Sequence, residues 1–577
     1  MPKAFAKRSS RRPAWPWTLA CALLLAACSS RGCGGASDEV VTPDPPTEAP
    51  TLPAPTFSLA IITDLKGYLE PCGCTSRPLG GIDRVAARVE ATRAAGPTLT
   101  LMAGDLFFSG QSHGPHTAAP HHDRPANGEP APAPARLDDA PPAPAAAAGP
   151  DFAARAQAGQ DALNAEAVAD VVGRFEVGAA LPGAHDRENA EALTALATRA
   201  RLPLLGMSTS DAVLREVAGR KVLVLGINDE DPSAASEAVR ALLAAPDHAD
   251  RDLVVALTRA GRRTARAVAQ VPGVHVVVLG GADVDEALPP ANVGDALVLH
   301  ASRQGQGVTV AGIYLPHAGA AANPIVDVSP WSTEGRREAL QADIRELEAN
   351  VARWREEAAD ASQIARQEAR LAGMQADLAN VVPPALPSGQ LALAATFFEL
   401  PPDAPQSAEV TAAMEALARR VNEHNRVALA SWAPEPAAAG EPHYVGSAAC
   451  QSCHNAAYAW WSSHPHGRAY STLEVRHKQF NLSCVGCHVT GYLQPGGSTV
   501  THLNDGALIN VGCENCHGPS SAHVASQGRV RPARRDVPES VCVGCHNPEH
   551  SDRFVYETFR NTLRVPGHGL PASGGAP

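Results

Sequence analysis

The chain has 577 residues, of which 45% are hydrophobic and 19% charged, with a formal net charge of −12. That length leaves room for roughly two to four domains. The negative balance excludes the electrostatic footprint of a nucleic-acid binder, and 50 Pro with 48 Gly, gathered partly in Ala-Pro runs, imply substantial linker.

The chain opens on Lys3, Lys7, Arg8, Arg11 and Arg12, followed by an apolar run from Trp15 to Ala27. The run is too short to span a bilayer and has the flanks of a signal peptide. It ends in Leu25-Ala26-Ala27-Cys28, which resembles the lipobox of bacterial lipoproteins. That resemblance implies cleavage after residue 27, lipidation of Cys28 and attachment to a membrane. Ser29 and Ser30 follow in place of an acidic retention signal, so the expected location is the cell envelope, with the outer membrane favoured. Residues 28–56 are rich in Pro, Gly, Thr and acids and read as a disordered tether.

From residue 57 to 330 short Val/Ile/Leu-rich runs alternate with Ala-rich helical stretches. Phe57 to Thr63, Thr98 to Ala103, Lys221 to Ile227, Leu253 to Leu257 and Val274 to Leu279 predict buried strands. Ile82 to Ala95 and Ser236 to Ala245 predict helices, which makes this an α/β domain. Residues 110–150 form a low-complexity insertion with His113, His116, His121 and His122, predicted to be disordered. Cys72 and Cys74 lie one residue apart just after the first strand. With Cys33 they form an odd set, open to a disulfide, a soft metal or a redox role.

The ends of these strands resemble the calcineurin-like metallophosphatases, in particular their 5′-nucleotidase branch. That family reads Asp-x-His, Gly-Asp, Gly-Asn-His-Asp/Glu, a lone His and Gly-His-x-His, whose ligands hold two metals. Here Asp64-Leu65-Lys66 has Lys in a ligand position, and Gly104-Asp105 is kept. Gly183-Ala184-His185-Asp186 keeps the His and loses the Asn. Leu257-Thr258-Arg259 has Arg for His, and Gly280-Gly281-Ala282-Asp283-Val284 has lost both His. The resemblance implies a metallophosphatase-like sandwich, with Asp64, Asp105 and His185 as a vestigial metal site. Cations in ligand positions repel a dication, so no dimetal centre and no phosphatase activity are expected.

Residues 331–432 predict a helical hairpin and connecting elements. Leu340, Ile344, Leu347, Val351 and Trp354 form a heptad-like seam, and Ile364, Leu371, Met374 and Leu378 a returning helix. An apolar stretch, Leu391 to Leu400, and a helix, Ala408 to Val427, follow. Residues 433–442 read as a Pro/Ala linker, 443–570 as the last domain and 571–577 as a tail.

That last domain carries the chemistry. Cys450, Cys453 and His454, then Cys484, Cys487 and His488, then Cys513, Cys516 and His517, and finally Cys542, Cys545 and His546 make four copies of Cys-x-x-Cys-His. A Cys-x-x-Cys pair also holds zinc or a redox disulfide. Four copies with His at the same place are the attachment pattern of c-type haem, two thioethers and one axial imidazole each. Eight of the 13 Cys and 12 of the 22 His fall to this domain, and it contains no Met. Any sixth iron ligand is therefore expected to be His.

The domain resembles the tetrahaem cytochrome c family that accepts electrons from hydroxylamine oxidoreductase. The likeness rests on Tyr444-Val445-Gly446-Ser447, Trp461 with His466, Cys484 through Gly491, and Gly512 through Pro519. It implies four c-type haems in a mainly α domain with little regular sheet, redox partner proteins, and distal ligands among His466, His523, His550 and His568. It also implies that the haem at His488 lacks a distal ligand, an open iron for a small nitrogen-oxide ligand. Electron transfer is thus the expected function, with reduction of a small nitrogen species as the alternative and a metal-dependent nucleotidase fused to a cytochrome last. Arg529, Arg531, Arg534 and Arg535 form a basic cluster fit for propionates, an acidic partner or solvent.

Overall fold

The structure is a computed structural model that describes residues 52–71, 78–108, 150–281, 289–316, 324–356, 361–381, 385–547, 551 and 554–567. Residues 1–51 with Cys28 and Cys33, then Cys72, Cys74, nearly all of the 110–150 insertion, His550 and His568 lie outside the described residues; the last part of the expected 28–56 tether is described and is not disordered, since Thr56 N–H donates to Ile313 O at 2.8 Å.

The α/β body is built on two six-stranded mixed sheets. In chain order its elements are β1 (Phe57–Thr63), α1 (Ile82–Ala95), β2 (Thr98–Gly104), α2 (Pro150–Val172), β3 (Val177–Pro182), α3 (Ala184–Glu188), α4 (Ala190–Ala200), β4 (Asp211–Val217), β5 (Arg220–Gly226), α5 (Pro232–Ala244), β6 (Leu253–Thr258), α6 (Gly261–Ala269), β7 (Val276–Leu279), β8 (Ala291–Val293), β9 (Ala296–Leu299), β10 (Gly307–Tyr314) and β11 (Val326–Asp327). The body is completed by α7 (Pro330–Glu356), α8 (Ala361–Ala379), β12 (Ala392–Glu399) and α9 (Ala408–Ala428).

The first sheet runs β11-β12-β10-β1-β2-β3 and the second β4-β5-β6-β7-β9-β8. Alternation along the strands decides what each face meets. Leu59, Ile61, Leu101 and Leu181 of the first sheet share one buried core with Val222, Val224, Val255, Val276 and Leu299 of the second. On the opposite faces, Ile62 and Met102 pack with α1, α2 and α4, while Leu223, Val254 and Val277 pack with α5 and α6. The result is a helix–sheet–sheet–helix sandwich. The chain is multidomain, with the two mixed sheets followed by a helical C-terminal region.

β12 pairs antiparallel with β10 along its whole length, from Ala392 against Tyr314 to Glu399 against Gly307. The apolar stretch that the sequence placed among connecting elements is thus a strand of the first sheet. Between β11 and β12, α7 and α8 form the hairpin that the seam predicted: Ile344, Leu347 and Val351 are buried, and Arg355 pairs with Glu368 at its tip. Among the described residues no helix is long and apolar enough to cross a membrane.

Beyond α9 the C-terminal region is made of short turns of helix: α10 (Asn455–Ser463), α11 (Ala469–Glu474), α12 (Leu482–Val485), α13 (Cys513–His517), α14 (Ser521–Ala525), α15 (Glu539–Val543) and α16 (Tyr556–Thr562). Its small core gathers Tyr470, Leu482, Val485, Val489 and Val500, and Leu429 and Ala156 reach into it from the α/β side.

Candidate functional site

Each Cys-x-x-Cys-His forms a single helical turn. His454 and His546 donate their N–H groups to Cys450 O (2.9 Å) and Cys542 O (2.8 Å), α13 spans the third motif, and α12 runs into the second. Residues i, i+3 and i+4 of such a turn share one face, so both thiols and the imidazole address the same side.

The turns come together in pairs across the sequence. The Cys450 thiol is hydrogen-bonded to Cys513, and that bond and burial hold it well above the ordinary thiol range. Cys545 is likewise bonded to Cys487. Attachment points one and three are therefore neighbours, as are two and four, and Cys516 of the third lies near Cys542 and Cys545 of the fourth. Cys513 N–H donates to Ser447 Oγ at 3.0 Å, which locks the third turn onto the segment leading into the first.

The imidazoles show how they are held. Nδ1 of His488 lies 2.6 Å from Ala469 O, that of His517 2.8 Å from Arg534 O, that of His523 2.6 Å from Val530 O, and that of His546 3.0 Å from Ser551 Oγ. For His488, His517 and His523 the partner is a carbonyl, which can only accept, so Nδ1 carries the proton and Nε2 keeps its lone pair, the arrangement of a metal-ligating His. Burial pushes His466 down to about 4 and holds His488 and His546 below the ordinary imidazole value, so these rings are neutral, the ligating form.

Two pairs of rings lie close together. His454 and His523 have centroids 6.2 Å apart with planes at 25°, and His466 and His546 have centroids 6.2 Å apart at 48°. Two imidazoles sharing one metal through Nε2, each at about 2 Å, place their ring centres roughly 6 Å apart. The donor set thus fits an iron between each pair. His454 pairs with the sequence candidate His523, and His546 of the fourth motif with His466. Among the described residues no ring contact sets a second imidazole opposite His488.

Glu514, between the thiols of the third motif, is 1% exposed. Its carboxylate accepts the N–H groups of Val445 (3.1 Å), Gly446 (2.7 Å) and Ser520 (2.9 Å). It ties the Tyr444-Val445-Gly446 approach of the first motif to the exit of the third. Sequence reading did not assign it a role, although its place inside Cys513–His517 was the available signal. Arg534, singled out there only as part of a basic cluster, donates to Cys516 O (2.9 Å) and Asn515 O (3.2 Å) and so closes the end of the same turn.

The strand-end face of the α/β body also converges. Asp64 follows β1, is buried, and adopts φ 48°. Its carboxylate accepts Gly281 N–H (3.0 Å) and Asp105 N–H (3.3 Å). A Cβ on Gly104 would lie 2.2 Å from Asp64 Oδ1, so only glycine allows the approach. His185 Nδ1 meets Asp105 Oδ2 at 2.7 Å, which raises the His185 pKa. Asp186 accepts N–H groups from Leu106, Phe107 and Phe108, while burial pushes it up to about 7. The two cations in ligand positions have different fates. Arg259 bonds Glu230 and the Asn228 carbonyl, while Lys66 lies near enough to favour the charged form of Asp64. The three vestigial residues Asp64, Asp105 and His185 are thus brought together, and protein donors satisfy the two carboxylates. Among the described residues no group of three or more His, Cys, Asp or Glu is placed to hold a metal ion.

The C-terminal geometry defines a c-type haem-binding module carried by an α/β body. Residues 449–518 match the family described as cytochrome c554 and c-prime. Over 96 residues the chain is 33% identical to cytochrome c-554 of Nitrosomonas europaea, a match that covers 14% of this chain and 40% of that relative. This chain therefore spans well under half the length of the curated relative. Among solved structures it is similar to the sulfate thiohydrolase SoxB of Thermus thermophilus (TM-score 0.33, 14% identity, 48% of this chain and 56% of that one). It is also similar to a putative 5′-nucleotidase of Staphylococcus aureus (TM-score 0.31, 13% identity, 44% and 50%) and to a 5′-nucleotidase of Candida albicans (TM-score 0.29, 10% identity, 46% and 49%). Residues 449–518 are accordingly similar to the cytochrome c554 family, a likeness that implies c-type haem as the cofactor of this part.

Proposed function

We propose that this protein is an exported, lipid-anchored cytochrome that carries four c-type haems and passes electrons between redox partner proteins. The observation that carries the reading is the spacing of two imidazole pairs, His454 with His523 and His466 with His546, each beside a Cys-x-x-Cys turn. A c-type haem bound there supplies one-electron chemistry. The chain's part is to hold His488, His517, His523 and His546 by Nδ1 hydrogen bonds, to keep His466, His488 and His546 neutral by burial, and to seat attachment points close enough for edge-to-edge transfer. Cys450, Cys453, Cys484, Cys487, Cys513, Cys516, Cys542 and Cys545 are the thioether positions, and His454, His488, His517 and His546 the proximal ligands. The signal-like N-terminus and Cys28 support residence in the cell envelope. The α/β body serves as scaffold, since Lys66 and Arg259 stand where its family resemblance places metal ligands.

A second reading follows from the family resemblance, in which the haem at His488 lacks a distal ligand. An iron open on that side would take a small nitrogen oxide. Quantified low-temperature EPR of the oxidised holoprotein separates the two. Low-spin signals alone support the electron carrier, and a high-spin signal near one iron in four supports the reductase. Failure of both, with no covalent haem on the chain, would overturn the whole proposal.

A further inference from the structure

The seven residues before Cys484 are gripped by the α/β body. Arg419, Asn422 and Asn425 recur every three residues along α9. Arg419 Nη1 lies 3.2 Å from His477 Nε2, and Asn422 Oδ1 accepts Phe480 N–H at 2.9 Å. Asn425 Nδ2 donates to Phe480 O (2.9 Å) and to Gln160 Oε1 (2.6 Å). Gln160, on α2, also accepts Leu482 N–H (3.1 Å) and donates to Asn481 Oδ1 (3.3 Å) and Ser483 Oγ (3.2 Å). Glu70, in the loop after β1, pairs with Lys478. Gln160 and Asn425 are both 0% exposed.

The network is built for position more than for adhesion. An apolar contact would join the two parts without specifying register, whereas buried amides matched to particular backbone groups accept one register only. Asn425 Oδ1 is buried without a partner, a cost that packing alone does not explain. The helices also approach closely here: a Cβ on Gly159, beside Gln160, would lie 2.3 Å from His424 Nε2. What the network holds is the start of α12, where Asn481 caps Ser483 N–H at 2.9 Å. Cys484, Cys487 and His488 follow directly, and Leu482 and Val485 beside them are buried in the shared core.

We propose that Gln160 and Asn425 are positioning residues for the second haem. Through them the α/β body sets the placement of the Cys484–His488 attachment, and with it the burial and reduction potential of that one haem. This rests on the cytochrome reading above. Burial and ligand orientation are the levers by which a protein tunes haem, and both run through α12.

The test is a spectropotentiometric titration of the full-length holoprotein, resolving its one-electron steps. The variants are Gln160→Met, which removes every bond of the amide at similar volume, and the milder Asn422→Ala. Val239→Ala, in the core against the second sheet, is the control for lost stability alone. Gln160→Met should move one step by threefold or more in its reduction equilibrium, about 30 mV for one electron, and leave the others in place. Asn422→Ala should move the same step less, and carries the test should Gln160→Met not fold. The control should lower Tm and move no step. Steps that all match the wild type, or that shift together, would overturn the proposal while leaving the cytochrome reading intact. A native chain without covalent haem would overturn both.

Discussion

Glu514→Ala probes how the first and third haem turns are joined. The wild-type carboxylate satisfies three backbone N–H groups, of Val445, Gly446 and Ser520, at a site 1% exposed. Alanine offers none of them an acceptor. Each buried donor left unpaired costs about 1–3 kcal/mol, and water entering the vacated space recovers part of that. The net loss should be roughly 3–5 kcal/mol. Glu514→Gln retains one acceptor oxygen but turns an amide N–H towards other donors, so it should lose about half as much. Urea unfolding of the oxidised holoprotein, followed by far-UV circular dichroism and by the Soret band, measures both. The two bands should lose stability together, because the residue joins haem-bearing segments to each other. A loss below about 1 kcal/mol for Glu514→Ala would refute the view that these three donors depend on it.

His523→Ala and His466→Ala should each convert one haem from low-spin to high-spin, seen by EPR, without loss of covalent haem; unchanged spin populations would contradict the imidazole pairs. Stability should fall as pH rises from about 4 to about 7. Burial lifts Asp64 from 3.8 to about 6 and Asp186 from 3.8 to about 7, and the Asp105 hydrogen bond raises His185 above 6.5. Each folded group holds its proton more tightly than the unfolded chain does, so its contribution is complete below the unfolded value and lost through the folded one. A Tm that climbs across that window would contradict this. Chelation by EDTA should leave Tm unchanged, because protein donors already satisfy Asp64 and Asp105; a drop reversed by zinc would show a working metal site.

Much of the site was legible because covalent attachment demands an invariant local pattern. Cys450 to His454 and its three copies need no tertiary information to be recognised. Strands such as Phe57–Thr63 and the helix Ile82–Ala95 were equally plain, being apolar runs bounded by breakers. β12 was not. Ala392–Glu399 has the same apolar character, but its partner β10 lies on the far side of the α7–α8 hairpin, and non-local pairing leaves no mark on either segment. The imidazole pairs were legible only by half. His466 and His523 stood out as ligand candidates, yet their match to His546 and His454 depends on how the turns stack. Gln160 and Asn425 left no signal, since an amide in an Ala-rich helix reads as surface until its partner segment is seen.

The proposed electron carrier needs haem at four sites, with a pair of imidazoles at two of the irons or more. The most direct measurement is EPR with spin quantification on the anaerobically purified, oxidised full-length protein, alongside a count of covalent haem per chain. Four haems per chain are expected, with low-spin signals from the irons at His454 and His546. Fewer covalent haems, or high-spin iron at those two sites, would contradict it.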